Sequence, residues 1–475
     1  MRFRVCLSES KRPLETFKLS KEFSTKTRIT KRTVEVGQAF GIGINEEKRF
    51  SIFNDFVVDI DAGRVVLITG DSGAGKSTLL NELAAQMSSR DGRKSFGTIT
   101  TNGTVKIEDS ELIVEGVGKD VSEAISILSM SGLNEAFLMR RKFKELSDGQ
   151  KYRYRVAKMI DSDSDTWIFD EFAALLDRVT AKCVAYTVQK TARKLGKTLV
   201  VATTHEDLLE DLKPDIWIQK KFGNEVSVSQ FKEGSFDKRC SLLKEIKIEE
   251  CDLKELAHLE QFHYRGKVSN LVKKCFRAVL KDETIAGLVM VPPHLQLRGR
   301  NIALPEFRGR SDRTQAEKVN KEIVRIARVI VAPKFRSIGL GAEIVRETLP
   351  KAGVKYVETL AVMAKYNKFF ESAGMKKIDV PEDEKEEKDL RELESLGFRR
   401  ELLPSRQHVE SIVSKLDQRR LEVCRRFALR YCAVAKRRAM SLIPRIKELD
   451  REAIIDALKL HSSRPLYLYW QNPLL

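Results

Sequence analysis

The chain has 475 residues, 42% hydrophobic but only 7% aromatic, with 32% charged and a formal net charge of +18. That length allows two or three domains, each with its own core, and the absence of any apolar run of roughly 18 residues excludes a spanning helix. An excess of 86 Lys and Arg over 68 Asp and Glu favours a polyanionic partner, nucleic acid before an anionic membrane surface.

The seven cysteines, Cys6, Cys183, Cys240, Cys251, Cys275, Cys424 and Cys432, are odd in number and form no Cys-x-x-Cys pair. Neither a disulfide framework nor a zinc site is expected from that pattern. The start carries charge without the apolar core of a secretory signal, so a cytoplasmic location is the expectation.

Along the chain, the first thirty residues are polar and basic and read as a peripheral strand plus a loop. From about Thr33 to Phe231, strand and helix patterns alternate. Val65 to Ile68 is a short apolar strand running into a glycine loop, and Ser77 to Met87 reads as the helix after it. Thr166 to Phe169 and Thr198 to Ala202 are further apolar strands, which together imply a parallel sheet with helical crossovers. The loop residues Gly70, Asp71, Ser72, Gly73, Ala74, Gly75, Lys76, Ser77 and Thr78 present backbone N–H groups at a helix N-terminus, which favours phosphate. Lys76 is placed to reach the β- and γ-phosphates, and Ser77 to hold Mg²⁺. Asp170 ends an apolar strand and can join the magnesium shell, while Glu171 can polarise an attacking water.

A second domain begins near Glu245 and runs to about Val380. Its most regular piece is a strand from Ile323 to Val331, followed by a loop from Ala332 to Ile338 and a helix from Gly341. Two Arg-Gly-Arg triplets, Arg298 to Arg300 and Arg308 to Arg310, lie near Phe307 and Arg313, a combination suited to phosphate pairing and base stacking. Pro381 to Asp389 is a mixed-charge run and reads as a solvated linker or a helix start. Residues 401–475 read as a helical tail. There Lys415, Arg419, Arg426, Arg430 and Arg437 form a cationic stripe at helical spacing, and Leu416, Val423, Phe427 and Val434 an apolar one. The expected domains are thus 1–32 as an extension, 33–235 and 243–380 as α/β domains, and 381–475 as a charged linker with a basic helical region.

In the first domain the motifs combine: the glycine loop, then Leu146-Ser147-Asp148-Gly149-Gln150, then Ile168 to Glu171, then His205. This set resembles the ABC-type ATPases. The resemblance implies ATP as ligand, His205 as the residue that senses the γ-phosphate, and a nucleotide-dependent homodimer. In that dimer Ser147, Gly149 and Gln150 would cap the nucleotide of the partner, and Asp177, after Leu176, would cross the same interface. Phe50 would offer an aromatic platform for adenine, with a core position as the alternative. Where the family usually has a Gln that couples to a membrane partner, the stretch Leu112 to Gly118 offers only Glu115. Together with the lack of spans, this speaks against a transporter, and the short interval from Gly75 to Leu146 suggests a reduced helical subdomain.

In the second domain, Arg336, Ser337, Ile338, Gly339, Leu340, Gly341 and Ala342 resemble the coenzyme-A loop of GNAT acetyltransferases, with Val329 and Val331 on the strand before it. Lys368 to Met375 resembles the family's second landmark. The resemblance implies acetyl-CoA as cofactor. Phe370 stands where many members have a proton-donating Tyr, and Glu322 and the pair His263-Tyr264 are candidates for the general base. His263-Tyr264-Arg265 is also similar to a run in tRNA cytidine acetyltransferases, and base-modifying acyltransferases look similar here. The sequence therefore reads as an α/β protein, an ABC-type ATPase fused to a GNAT-like acyltransferase, acting on nucleic acid, RNA before DNA. One alternative acceptor is a protein or small amine. Another reading makes the second domain a catalytically idle part of a nucleic-acid-binding ATPase.

Overall fold

The computed structural model describes residues 14–25, 28–43, 48–89, 96–232, 234–262, 271–309, 312–381, 384–435, 441–459 and 465–474. His263 and Tyr264 lie outside the described residues, as do Arg310 and Arg437. The chain divides into two compact units, 1–291 with 326–353, and 292–325 with 354–475.

In the first unit, β1 (Leu14–Thr25) and β2 (Lys48–Asp61) form an antiparallel ribbon. Phe17, Leu19, Phe53 and Ile60 point from it into a core shared with Leu79, Leu80 and Leu83. The main sheet has the order β4 (Ile99–Thr101), β5 (Thr166–Phe169), β6 (Thr198–Ala202), β3 (Val65–Thr69), β7 (Ile216–Lys220) and β8 (Val226–Gln230). Every pairing is parallel except β7 with β8. β3, β5 and β6 are buried along their whole length. That is what continuous apolar runs demand when helices cover both faces. Parallel strands align their carboxyl ends, and ligands of such sheets bind outside those ends.

The same unit carries β9 (Lys247–Glu250), β10 (Lys274–Leu280) and β11 (Glu283–Val291), joined antiparallel, with β12 (Ile323–Val331), which belongs to this unit from Ile326 on, beside β11. The loop after β12 leads into helix Leu340–Thr348. Cys251 and Cys275, on neighbouring chain segments here, have Sγ atoms 3.6 Å apart, a proximity their spacing did not announce.

The second unit pairs β13 (Tyr356–Ala361) with β15 (Leu466–Gln471), and β14 (Lys376–Ile378) with β15, all antiparallel. The expected helical tail therefore ends in a strand. Leu466-Tyr-Leu-Tyr-Trp-Gln471 is rich in aromatics, which favour a pleated surface. Of the two readings of the mixed-charge run, the helix start is the one seen: Glu384–Ser395 is a helix that buries Leu390 and Leu393 against Phe427 and Ala428. Its acids meet the cationic stripe: Glu392 pairs with Arg426 at 2.7 Å, and Asp389 pairs with Arg430. The stripe is also shorter than expected, since Lys415 and Leu416 precede helix Gln418–Ala435 rather than lie on it.

The Arg-Gly-Arg region is a further correction. Arg300 is fully buried and forks onto Glu358, its Nη2 donating to Oε1 at 2.6 Å and its Nε to Oε2 at 2.9 Å. Phe307 is buried too, edge-on to Tyr356. Neither can pair phosphate or stack a base in this form, because each has been drawn into packing with β13. Arg313 remains exposed, paired with Glu317 at 2.9 Å.

Candidate nucleotide site

The glycine loop begins where β3 ends, and helix Lys76–Ser89 starts on its lysine. Two glycines are required by their surroundings. Gly70, at φ +148°, would place a Cβ 1.9 Å from the Lys220 carbonyl oxygen, and Gly75, at φ +99°, would place one 2.4 Å from Cγ2 of Ile52. Any side chain at either position would force the loop open. The Lys76 ammonium folds back to donate to the Asp71 carbonyl at 2.7 Å, across the mouth of the loop. Burial lowers its pKa, while Asp170, Asp71 and Glu171 oppose that shift.

Parallel pairing of β5 with β6, and of β6 with β3, carries Asp170 to the same end of the sheet. The Ser77 hydroxyl donates to Asp170 Oδ1 at 3.0 Å, so two oxygen ligands from distant segments converge. Such a donor pair suits a hard, partly hydrated divalent cation, and Mg²⁺ with a nucleotide fits it. The same Oδ1 accepts from the Glu171 N–H at 3.0 Å, and Glu171 itself is exposed with φ +49°. A bulky residue held in the left-handed region is a local strain that clusters at functional sites.

Sequence reasoning missed Asn102. It follows β4, donates from Nδ2 to the Asp170 carbonyl at 2.9 Å, and accepts from the Asp170 N–H at 3.2 Å. The strand beside β5 thus ends at the backbone of Asp170 itself. An Asn immediately after a three-residue strand gave no local signal; only the β4–β5 pairing reveals it.

His205 sits past β6. Its N–H donates to Thr203 Oγ1 at 3.2 Å, and that hydroxyl donates to the Phe172 carbonyl at 3.0 Å, tying the histidine turn to the segment after Glu171. Ser147 caps helix Asp148–Asp161: its hydroxyl accepts from the Gln150 N–H at 3.4 Å, and Gln150 Oε1 accepts from the Ser147 N–H at 3.0 Å. This reciprocal box fixes the helix start. Asp177 caps helix Arg178–Leu195 through the Thr180 N–H at 3.1 Å. Phe50 is 42% exposed on β2, outside the core.

In the loop after β12, Ser337 and Gly339 take positive φ values of 76° and 99°, and Ile338, Leu340 and Ala342 are buried. Val329 and Val331 are half-buried on β12. Arg336 donates through Nε to the Val331 carbonyl at 2.8 Å and is otherwise turned toward Asn134. Glu322 ends helix Arg313–Glu322 and is half-buried, while Phe370 is buried against Phe369.

Comparison with known proteins bears on the first of these constellations. A family model described as ABC transporter matches residues 53–174. The energy-coupling factor transporter ATP-binding protein EcfA1 of Leuconostoc mesenteroides is 28% identical over 187 residues, covering 34% of this chain and 68% of that protein. An ABC transporter ATP-binding protein of Vibrio vulnificus is 29% identical over 183 residues, covering 32% of this chain and only 31% of its own length. Among solved structures, a dimeric bacterial ABC transporter cassette aligns with 46% of this chain and 99% of its own, at 17% identity and a TM-score of 0.35. The segment from Phe53 to Ala174, which holds the glycine loop, the signature run and the Asp170–Glu171 strand end, is thus similar in sequence to the ATP-binding proteins of ABC transporters.

Proposed function

We propose that this chain is an ATP-hydrolysing homodimer whose closure is coupled to acyl transfer from acetyl-CoA onto nucleic acid, RNA before DNA. The observation that carries the ATP half is the 3.0 Å contact between Ser77 and Asp170, with Lys76 held at the loop mouth. In this reading Glu171 polarises the attacking water, His205 faces the γ-phosphate, and Ser147, Gly149, Gln150 and Asp177 close on the nucleotide of the second copy. The acyl half is supported by the strand–loop–helix of β12, Arg336–Gly341 and helix Leu340–Thr348, where positive φ at Ser337 and Gly339 opens the loop toward a helix N-terminus. The nucleic-acid half is supported by the +18 charge. Domains at 33–235 and 243–380 remain the proposed division of labour.

One observation favours the rival in which the second domain is catalytically idle: Phe370 is buried where a proton-donating Tyr would stand. The full chain incubated with ATP and labelled acetyl-CoA plus a cell extract separates the readings. Label entering RNA supports the proposal and label entering protein supports the amine alternative. No label, with no coenzyme-A binding by the wild type, leaves the idle-domain reading standing.

A further inference from the structure

The loop after β12 holds a turn of the ATPase domain. Arg336 donates from Nη1 to the Asn134 carbonyl at 3.2 Å and to Asn134 Oδ1 at 3.1 Å, and from Nη2 to the Phe262 carbonyl at 3.4 Å. Ser337, kept at φ 76°, donates its hydroxyl to the Ser129 carbonyl. Both contacts land on the segment 129–134, the last residues of helix Val121–Met130 and the turn after it.

The other side of that turn is held by a second arginine. Arg153, on the helix that Ser147 caps, donates from Nη1 to the Gly132 carbonyl at 2.9 Å and from Nε to the Gly149 carbonyl at 3.4 Å. The turn is therefore clasped between two guanidinium groups, and one of them also holds the glycine of the Ser147–Gln150 segment. Both guanidinium groups are largely desolvated, which lowers their pKa, so letting go of these carbonyls would leave buried charges without partners. Lys334 of the same loop lies near Asp177, where its charge and the Thr180 hydrogen bonds outweigh burial and keep that carboxyl below its ordinary range. One short loop thus bears on Asp177 by charge and, through the turn and Arg153, on the Ser147–Gln150 segment.

We propose that Arg336 and Ser337 are positioning residues for ATP turnover, holding residues 129–134 and, through Arg153, the Ser147–Gly149 segment in the attitude from which it closes on the second copy's nucleotide. The inference rests on the ATP-sandwich reading above, and it makes the loop proposed for coenzyme A a structural part of the ATP machine. Because the glycine loop that binds ATP is elsewhere in the same subunit, the two steps separate. Loss of the clasp should leave ATP affinity intact and weaken closure.

The test uses the full chain with Arg336→Ala, Asn134→Ala and the double variant, reading ATP affinity, kcat, and the ATP-dependent dimer by sedimentation in a Glu171→Gln background. Misplacement of groups at a distance can cost up to about 10²-fold. A roughly tenfold fall in kcat is expected for Arg336→Ala, with a weaker dimer and ATP affinity within about twofold of wild type. The double variant should be no worse than Arg336→Ala alone, because Asn134→Ala removes only the Oδ1 acceptor, a part of the contact that Arg336→Ala already removes. Unchanged kcat and dimerisation in Arg336→Ala, additive losses, or a parallel fall in ATP affinity and thermal stability would each overturn the inference. A wild type that never dimerises with ATP would overturn the sandwich reading, and this inference with it.

Discussion

Glu171 is positioned by its neighbours more than by itself. Its N–H is tied to Asp170 Oδ1, Asp170 is clamped at both backbone atoms by Asn102, and its own φ is left-handed. In the proposed reading its carboxylate polarises water, and positioned acid–base groups contribute roughly 10²–10⁴-fold. Glu171→Gln should therefore remove most ATP turnover while trapping an ATP-bound dimer, measured as phosphate release and sedimentation with ATP. His205 carries a pH prediction. Burial first, and then the Arg178 charge, lower its pKa, with Asp207 opposing. The folded protein thus binds fewer protons at this site than the unfolded chain does, so any stability it contributes is present above the ordinary histidine value and is lost as pH falls through the lowered one. Turnover should accordingly persist below about pH 6.5, the unperturbed histidine value. Arg178→Ala should move the acid limb of the pH–rate profile upward.

Among the elements, what was readable in the sequence was local. β3, β5 and β6 are short apolar runs whose burial follows from composition alone, and the glycine loop and capped signature helix announce themselves by residue type. What escaped was non-local. Asn102 matters because β4 lies beside β5, and Arg300 is structural because Glu358, 58 residues away, receives it in the core. No window of sequence contains either relation. The Arg300–Glu358 pair is 0% and 1% exposed, and Tyr467 donates to the same carboxylate at 3.2 Å. Removing one partner of such a pair leaves the other charge buried and costs about 3–5 kcal/mol. Arg300→Ala should lower the urea midpoint of unfolding accordingly, and a surface-sized change would mean that water reaches Glu358. Helix Glu384–Ser395 teaches the same lesson with opposite sign, since its charge concealed Leu390 and Leu393, which make it a core helix.

For the whole molecule, charge is the property that the fold redistributes most. Arg300, Arg426 and Arg430 are paired with acids, so the cationic stripe is interrupted by carboxylates while the +18 excess itself is unchanged. If RNA is the partner, affinity should still fall steeply with salt, because displaced counterions drive such binding. Filter binding across a salt series that gave a flat response would assign the charge to solubility. The clasp at Asn134 has a consequence of a different kind. A guanidinium already fastened to carbonyls cannot at the same moment hold a pyrophosphate, so coenzyme A and the closed ATP dimer would compete for Arg336. Thermodynamic linkage then makes the antagonism reciprocal: each ligand must weaken the other by the same factor. Calorimetric titration of coenzyme A, with and without ATP on Glu171→Gln, should show one factor in both directions, as in a two-stroke cycle whose strokes exclude each other.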